Sequence, residues 1–219
     1  MDMTALPASL RIVLADDHAV VRMGFRLLIE GAGAQVVAEA GSGEEALSAY
    51  EMHHPGLLLM DVSMPGMGGL AALERLRARH PQARVLMLSA HDDLQIPRRA
   101  LAAGATGYLS KRADPEELLR AVGDTSRGRA YLDPGLAAQL ALAQLQPAGQ
   151  SDPVSALTAR EFDVFLQLAR GRSVNEIAAT LKLGPSTVGS HLYHIKQKLQ
   201  ATNAAELALI AVRAGLIEA

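Results

Sequence analysis

Short apolar runs alternate with longer stretches of helical period along the first 126 residues. The runs are Arg11–Ala15, Gln35–Ala38, Gly56–Met60, Arg84–Ser89 and Gly107–Ser110, and each is nearly continuous in hydrophobicity. Strands buried on both faces carry that signature, whereas half-exposed strands alternate polar with apolar. Between the runs, Val20, Val21, Gly24, Leu27 and Leu28 share one helical face, as do Leu70, Leu73 and Leu76. Asp114-Pro115-Glu116-Glu117 reads as a helix start, with an N-cap acid, proline at the first helical position and carboxylates in the first turn. Strands alternating with helices predict βαβ units, hence a parallel α/β sheet with helices on both faces.

The pattern breaks after Ser126. Residues 127–154 contain Asp133-Pro134-Gly135, an Ala/Leu/Gln stretch and then a Pro/Gly/Ser/Gln cluster. They read as a linker with a short helix near Leu136–Gln144. From Leu157 onward the period is helical throughout. Thr158-Ala159-Arg160-Glu161 fits a capping box, in which the hydroxyl accepts from the third amide and the glutamate reaches back. Breaks at Gly171–Ser173, Leu183–Pro185 and Ala201–Asn203 divide the C-terminal stretch into short helices joined by tight turns, the layout of a helix-turn-helix unit.

A length of 219 residues suits two small domains or one large one. The chain has no cysteine, which excludes disulfides and Cys-ligated metal and fits a reducing compartment. Aromatic residues make up 3%, with no Trp, so a stacking platform for single-stranded nucleic acid is not expected. No apolar stretch reaches the ~18 residues of a membrane span, and the N-terminus lacks a signal-peptide layout, so a cytoplasmic protein without membrane association is expected. The net charge is −2: residues 1–150 carry 14 basic and 17 acidic side chains, residues 151–219 carry 7 and 6. That polarity is far from a basic tail and does not by itself point to DNA.

The candidate chemistry sits at the C-terminal ends of the expected strands. Asp16 and Asp17 follow the first, Asp61 ends the third, Ser89 ends the fourth and Lys111 follows the fifth. Strand C-termini border the crevice where open α/β sheets bind ligands. Singly, each residue has an ordinary explanation, such as an N-cap aspartate or a solvated lysine. Together they form one constellation. Three carboxylates without His or Cys call for a hard cation such as Mg²⁺. A carboxylate beside that cation can attack phosphorus and form an aspartyl phosphate, with Lys111 and Ser89 steadying the phosphoryl oxygens.

Four segments, Ile12–His18, Leu57–Gly69, Val85–Ala90 and Gly104–Lys111, resemble the receiver domain of two-component response regulators, over about residues 10–126. The resemblance implies a flavodoxin-like doubly wound sheet of five parallel strands, order 2-1-3-4-5. It implies Asp61 as phosphoacceptor, with Asp17, Asp61 and the Ser63 carbonyl as Mg²⁺ ligands and Asp16 supporting through water. It further implies Ser89 and Tyr108 as a switch pair and Lys111 as a phosphoryl contact. Taken alone, Tyr108 reads equally well as an exposed edge aromatic. Arg112 follows Lys111 where many receivers have proline, so a trans bond is expected there.

In the C-terminal part, Leu157–Glu161, Leu168–Ser173, Glu176–Ala179, Thr187-Val188, His191 and Ile195–Leu199 resemble the LuxR-type helix-turn-helix, over residues 155–219. Taken together, the two parts make the chain similar to the NarL/FixJ subfamily of response regulators. That resemblance implies a four-helix domain, with Ser173–Leu181 as first helix and Pro185–Leu199 as recognition helix in the major groove. Ser186 and Thr187 are expected at phosphate, Ser190, Tyr193 and His194 at base edges, His191 on the same helix, and Lys196 and Lys198 nearer the backbone or solvent. Family members usually carry lysine at position 189 and often a basic residue at 193, where this chain has Gly189 and Tyr193; the family's arginine after Asn203 is Ala204. His191 and His194, at i and i+3, also have a metal-pair spacing, and a satisfied or DNA-facing role is the preferred reading.

The expected function is a phosphorylation-dependent transcriptional regulator. It accepts phosphate on Asp61 from a cognate histidine kinase, binds Mg²⁺ and double-stranded promoter DNA, and forms a homodimer when phosphorylated. The alternative keeps the receiver and has the C-terminal helices dock protein rather than DNA. A phosphohydrolase with an aspartyl-phosphate intermediate is disfavoured, because Ser63 stands where such enzymes commonly place a second acid.

Overall fold

The computed structural model describes residues 5–90, 94–145 and 153–217, and the chain forms two compact units, the second built mainly from residues 139 onward. In the first unit the order is β1 (Arg11–Ala15), α1 (Ala19–Gly31), β2 (Gln35–Ala40), α2 (Gly43–His53), β3 (Leu57–Asp61), α3 (Gly68–Arg79), β4 (Val85–Ser89), α4 (Gln95–Ala102), β5 (Gly107–Ser110), α5 (Pro115–Ser126) and β6 (Tyr131–Leu132), followed by α6 (Pro134–Leu145). All strands are parallel, in the order β2-β1-β3-β4-β5-β6. Every residue of β3 and β4 is buried, as their unbroken apolar sequence requires. Asp114 caps α5 by accepting from the Glu117 amide, with Pro115 at the first position, as the sequence predicts.

Two features depart from the expectation. The sheet has a sixth strand within the segment read as linker. Tyr131–Leu132 pairs with Gly107–Tyr108, and the Tyr131 hydroxyl donates to Glu117 Oε1 at 3.1 Å. A Cβ on Gly107 would stand 2.8 Å from Thr125 Oγ1 and 3.2 Å from the Tyr131 carbonyl, so a glycine is needed for that close approach. The second departure is the face of α1. Ile29 is its buried residue, with Phe25 and Leu28 packed against the core, while Val20, Met23 and Leu27 are 82%, 60% and 66% exposed. Of the face read as Val20, Val21, Gly24, Leu27 and Leu28, Val20, Gly24 and Leu27 look outward, while Val21 is half-buried and Leu28 packs against the core beside Phe25 and Ile29.

The second unit is helical. A 3-10 turn (Pro153–Ala156) leads into α7 (Ala159–Ala169), α8 (Val174–Leu181), α9 (Pro185–Leu199) and α10 (Ala204–Arg213). The Thr158/Glu161 capping box opens α7, and Ser173 with Glu176 repeats it at α8. Lys182 and Gln200 end α8 and α9 in the left-handed conformation. Phe162, Phe165, Ile177, Val188, Ile195 and Leu207 fill the core between these helices. Among the described residues no helix is long and apolar enough to cross a membrane.

Candidate functional site

The C-terminal edge of the sheet brings the predicted acids together. Asp61 ends β3 and Asp16 follows β1; both are buried, and the Asp16 amide donates to the Ala40 carbonyl of β2 at 3.0 Å. Lys111, just after β5, is positioned by its own amide, which donates to the Ser89 carbonyl at 2.7 Å. Its ammonium lies 2.6 Å from Asp16 Oδ2 and 2.8 Å from Asp61 Oδ2. Asp61 Oδ1 accepts from the Ser63 amide at 3.2 Å. Burial pushes the Asp61 carboxyl up to about 6, against the opposing pull of Lys111, and the neighbouring charge of Asp16 adds to the rise. One ammonium among three carboxylates leaves an excess of negative charge. The oxygen donors of Asp16, Asp17 and Asp61 therefore suit a hard divalent cation of the Mg²⁺ type.

His18 joins the group without having been singled out in the sequence. Its Nδ1 lies 2.9 Å from Asp17 Oδ1 and 3.3 Å from Asp16 Oδ1, and Asp16 Oδ1 accepts from the His18 amide at 2.8 Å. One ligand atom from each of Asp16, Asp17, His18 and Asp61 can be chosen so that all lie within 4.8 Å of one another. Arg22 is a second addition. Its guanidinium donates to the Asp16 carbonyl and, through Nε, to Glu39 Oε2 at 2.7 Å, tying the acidic loop to β2. The loop after Asp61 is held similarly: Glu44 Oε1 accepts from the Met67 amide at 3.0 Å. An Asp-Asp-His run was a visible signal for His18, whereas nothing in spacing alone announced Arg22 or Glu44.

Ser89 ends β4 and is buried, next to β5 in register with Ser110. Tyr108 on β5 is 2% exposed, which rules out the exposed-edge reading of that residue. No peptide bond described is cis, so the Lys111–Arg112 bond is trans.

On α9, Gly184 is the N-cap and Pro185 the first helical residue, with Ser186 and Thr187 exposed in the first turn. Ser190, Tyr193 and His194 are exposed further along, with the Tyr193 and His194 rings in an edge contact at 5.7 Å. His191 lies part-buried, and burial together with the charge of Arg160 lowers its pKa. The two lysines are engaged within the domain. Lys196 Nζ donates to the Thr202 carbonyl at 2.9 Å, and Lys198 Nζ donates to the buried Glu161 carboxylate at 2.5 Å. An ammonium carries three N–H donors, so each of these bonds is compatible with the DNA-backbone contact expected of these lysines. His191 and His194 form no metal group with other His, Asp or Glu side chains among the described residues.

An acid-and-lysine pocket at the edge of a doubly wound parallel sheet, followed by a four-helix unit with a helix-turn-helix, defines a phosphorylation-responsive regulator class. Residues 12–123 match the response regulator receiver domain, and residues 155–211 match the bacterial regulatory proteins of the luxR family. The chain is similar to transcriptional activator protein ExaE of Pseudomonas putida, 45% identical over 209 residues that span 94% of this chain and 97% of ExaE. It is 37% identical to response regulator UvrY of Escherichia coli (strain K12) over 211 residues, 96% of this chain and 97% of UvrY. A solved LuxR-family two-component response regulator from Aurantimonas sp. SI85-9A1 is 38% identical, with a TM-score of 0.61 over 63% of this chain and 99% of that one. The chain belongs to the two-component response regulators with a LuxR-type DNA-binding domain, in the NarL/FixJ group. This is a family of regulators rather than of metabolic enzymes.

Proposed function

We propose that Asp61 accepts a phosphoryl group from the phosphohistidine of a cognate histidine kinase, and that the phosphorylated chain binds double-stranded promoter DNA as a homodimer in the cytoplasm. Residues 10–126 form the phosphoacceptor part, 127–154 the connection and 155–219 the DNA-binding part. The observation that carries this reading is the buried Asp61 carboxylate with the Lys111 ammonium at 2.8 Å and Asp16 sharing the same cation.

With its pKa at about 6, Asp61 is mostly ionised at pH 7 and available as a nucleophile. Its oxygen attacks phosphorus, the P–N bond to the kinase histidine breaks, and the electron pair leaves with the imidazole. The product is an acyl phosphate. Asp16, Asp17, Asp61 and the Ser63 main-chain carbonyl would hold Mg²⁺, which when bound supplies positive charge to the phosphoryl oxygens. Lys111 exchanges its Asp61 partner for a phosphoryl oxygen, and the Ser89 hydroxyl donates to another. Moving Ser89 toward the added charge alters the space beside Tyr108, which biases the two-state element of the switch.

Treatment with a small acyl phosphate donor and Mg²⁺ tests this. Intact mass is expected to rise by one phosphoryl group, and light scattering to shift from monomer toward dimer. An unchanged mass and an unchanged oligomeric state would overturn the proposal.

A further inference from the structure

The centre of the outward face of α9 is uncharged, with Lys196 and Lys198 at its flanks in the last turn. Ser186, Ser190, Tyr193, His194 and Gln197 are exposed on it, and Tyr193 is 62% exposed. The helix's two lysines are held by Thr202 and Glu161. Ser190 donates its hydroxyl proton to the Ser186 carbonyl at 3.1 Å, inside its own helix. Gly189, one turn before Tyr193, leaves open space: a Cβ there would meet nothing within 4 Å. Side chains on a helix lean toward its N-terminus, so the surface above Gly189 falls to Tyr193.

Resting on the reading of α9 as the DNA-reading helix, we infer that Tyr193 is the principal base-contacting residue and that this face selects A·T over G·C pairs through the thymine methyl. Guanine presents two acceptors in the major groove, N7 and O6, which a paired donor such as arginine or lysine matches. The centre of this face carries no arginine or lysine. Thymine presents the C5-methyl, the apolar mark on the groove floor, and the exposed phenol ring of Tyr193 is the large apolar surface that α9 offers to it. The edge contact with His194, at 5.7 Å and 64°, restricts the ring before it binds and so lowers the entropy lost on docking. The Gln197 amide, a donor and acceptor side by side, has the pattern that pairs with adenine N6 and N7.

The test uses the full chain treated with an acyl phosphate donor. Duplexes bound from a random library are sequenced, and the selected site is remade with uracil for each thymine in turn, which removes the methyl alone. Selected half-sites are expected to be rich in A·T, and uracil at the contacted position to weaken binding about fourfold, the worth of one buried methyl-sized group. Tyr193→Phe should keep that uracil penalty and Tyr193→Ala should lose it, while Tyr193→Lys should move the preferred pair at that position to G·C. Equal melting temperatures among the variants are expected, since the side chain is exposed. Binding with a G·C preference, or with no uracil penalty at any position, would overturn the inference alone. Absence of binding to any duplex at low salt would overturn both the inference and the DNA reading beneath it.

Discussion

Lys198 of α9 reaches Glu161 of α7, Nζ to Oε2 at 2.5 Å, and the same carboxylate oxygen accepts from the Thr158 amide at 2.8 Å. One buried glutamate thus closes a capping box and anchors the C-terminal end of α9. Burial alone would raise the Glu161 pKa, but the hydrogen bonds from Lys198 and Thr158 outweigh it and hold the carboxyl below its ordinary value. A depressed folded-state pKa means that this stabilisation is present above the unfolded value, near 4.3, and is lost as pH falls through the lower folded value.

Lys198→Ala should therefore destabilise the C-terminal unit by about 2–3 kcal/mol, because it leaves a buried carboxylate without its cation. Glu161→Gln should cost less, since the amide oxygen still accepts from Thr158. It should also flatten the loss of stability between pH 5 and pH 3. Urea melts across that range measure both effects. Equal stability of Lys198→Ala and wild type at pH 7 would contradict the pairing.

Gly69, the second residue of α3, has no room for a side chain: a Cβ would stand 2.0 Å from the Asp61 carbonyl oxygen. Gly69→Ala must push the backbone of the phosphoacceptor residue or the helix start. The expected cost is about 1–3 kcal/mol of stability, with a slower phosphorylation rate, whereas Gly24→Ala, with nothing within 4 Å, should leave the rate unchanged. Thermal melts and a phosphorylation time course of the two variants separate the outcomes.

The sheet and its acids were legible because burial on both faces leaves an unbroken apolar run, and the residue that ends such a run stands at the crevice. Leu57–Asp61 carries both signals at once. The strand Tyr131–Leu132 was not legible, since two residues are too few to show any period. On α1, apolar residues occur on more than one side, so periodicity alone did not choose between Leu27, which is exposed, and Leu28, which packs against the core. The intradomain acceptors of Lys196 and Lys198 lie across a turn or on another helix, a tertiary relationship that local spacing does not encode.

Gly189→Lys should tighten duplex binding. The site is open, a helix interior gains ~1 kcal/mol when glycine is replaced by a better former, and one more cation steepens the salt dependence by about 0.9 in log–log slope. Fluorescence anisotropy across a salt series reads both quantities. Weaker binding with an unchanged slope would mean that the glycine admits close approach of the DNA instead.

Asp61 is the proposed point at which the chain receives phosphate, and every later step of the switch depends on it. After treatment with an acyl phosphate donor and Mg²⁺, borohydride reduction converts an aspartyl phosphate to homoserine, which peptide mass spectrometry locates. Homoserine is expected at position 61, none at Asp16 or Asp17, and none anywhere in Asp61→Asn. Homoserine at another aspartate in the wild type, or undiminished labelling of Asp61→Asn, would contradict the assignment.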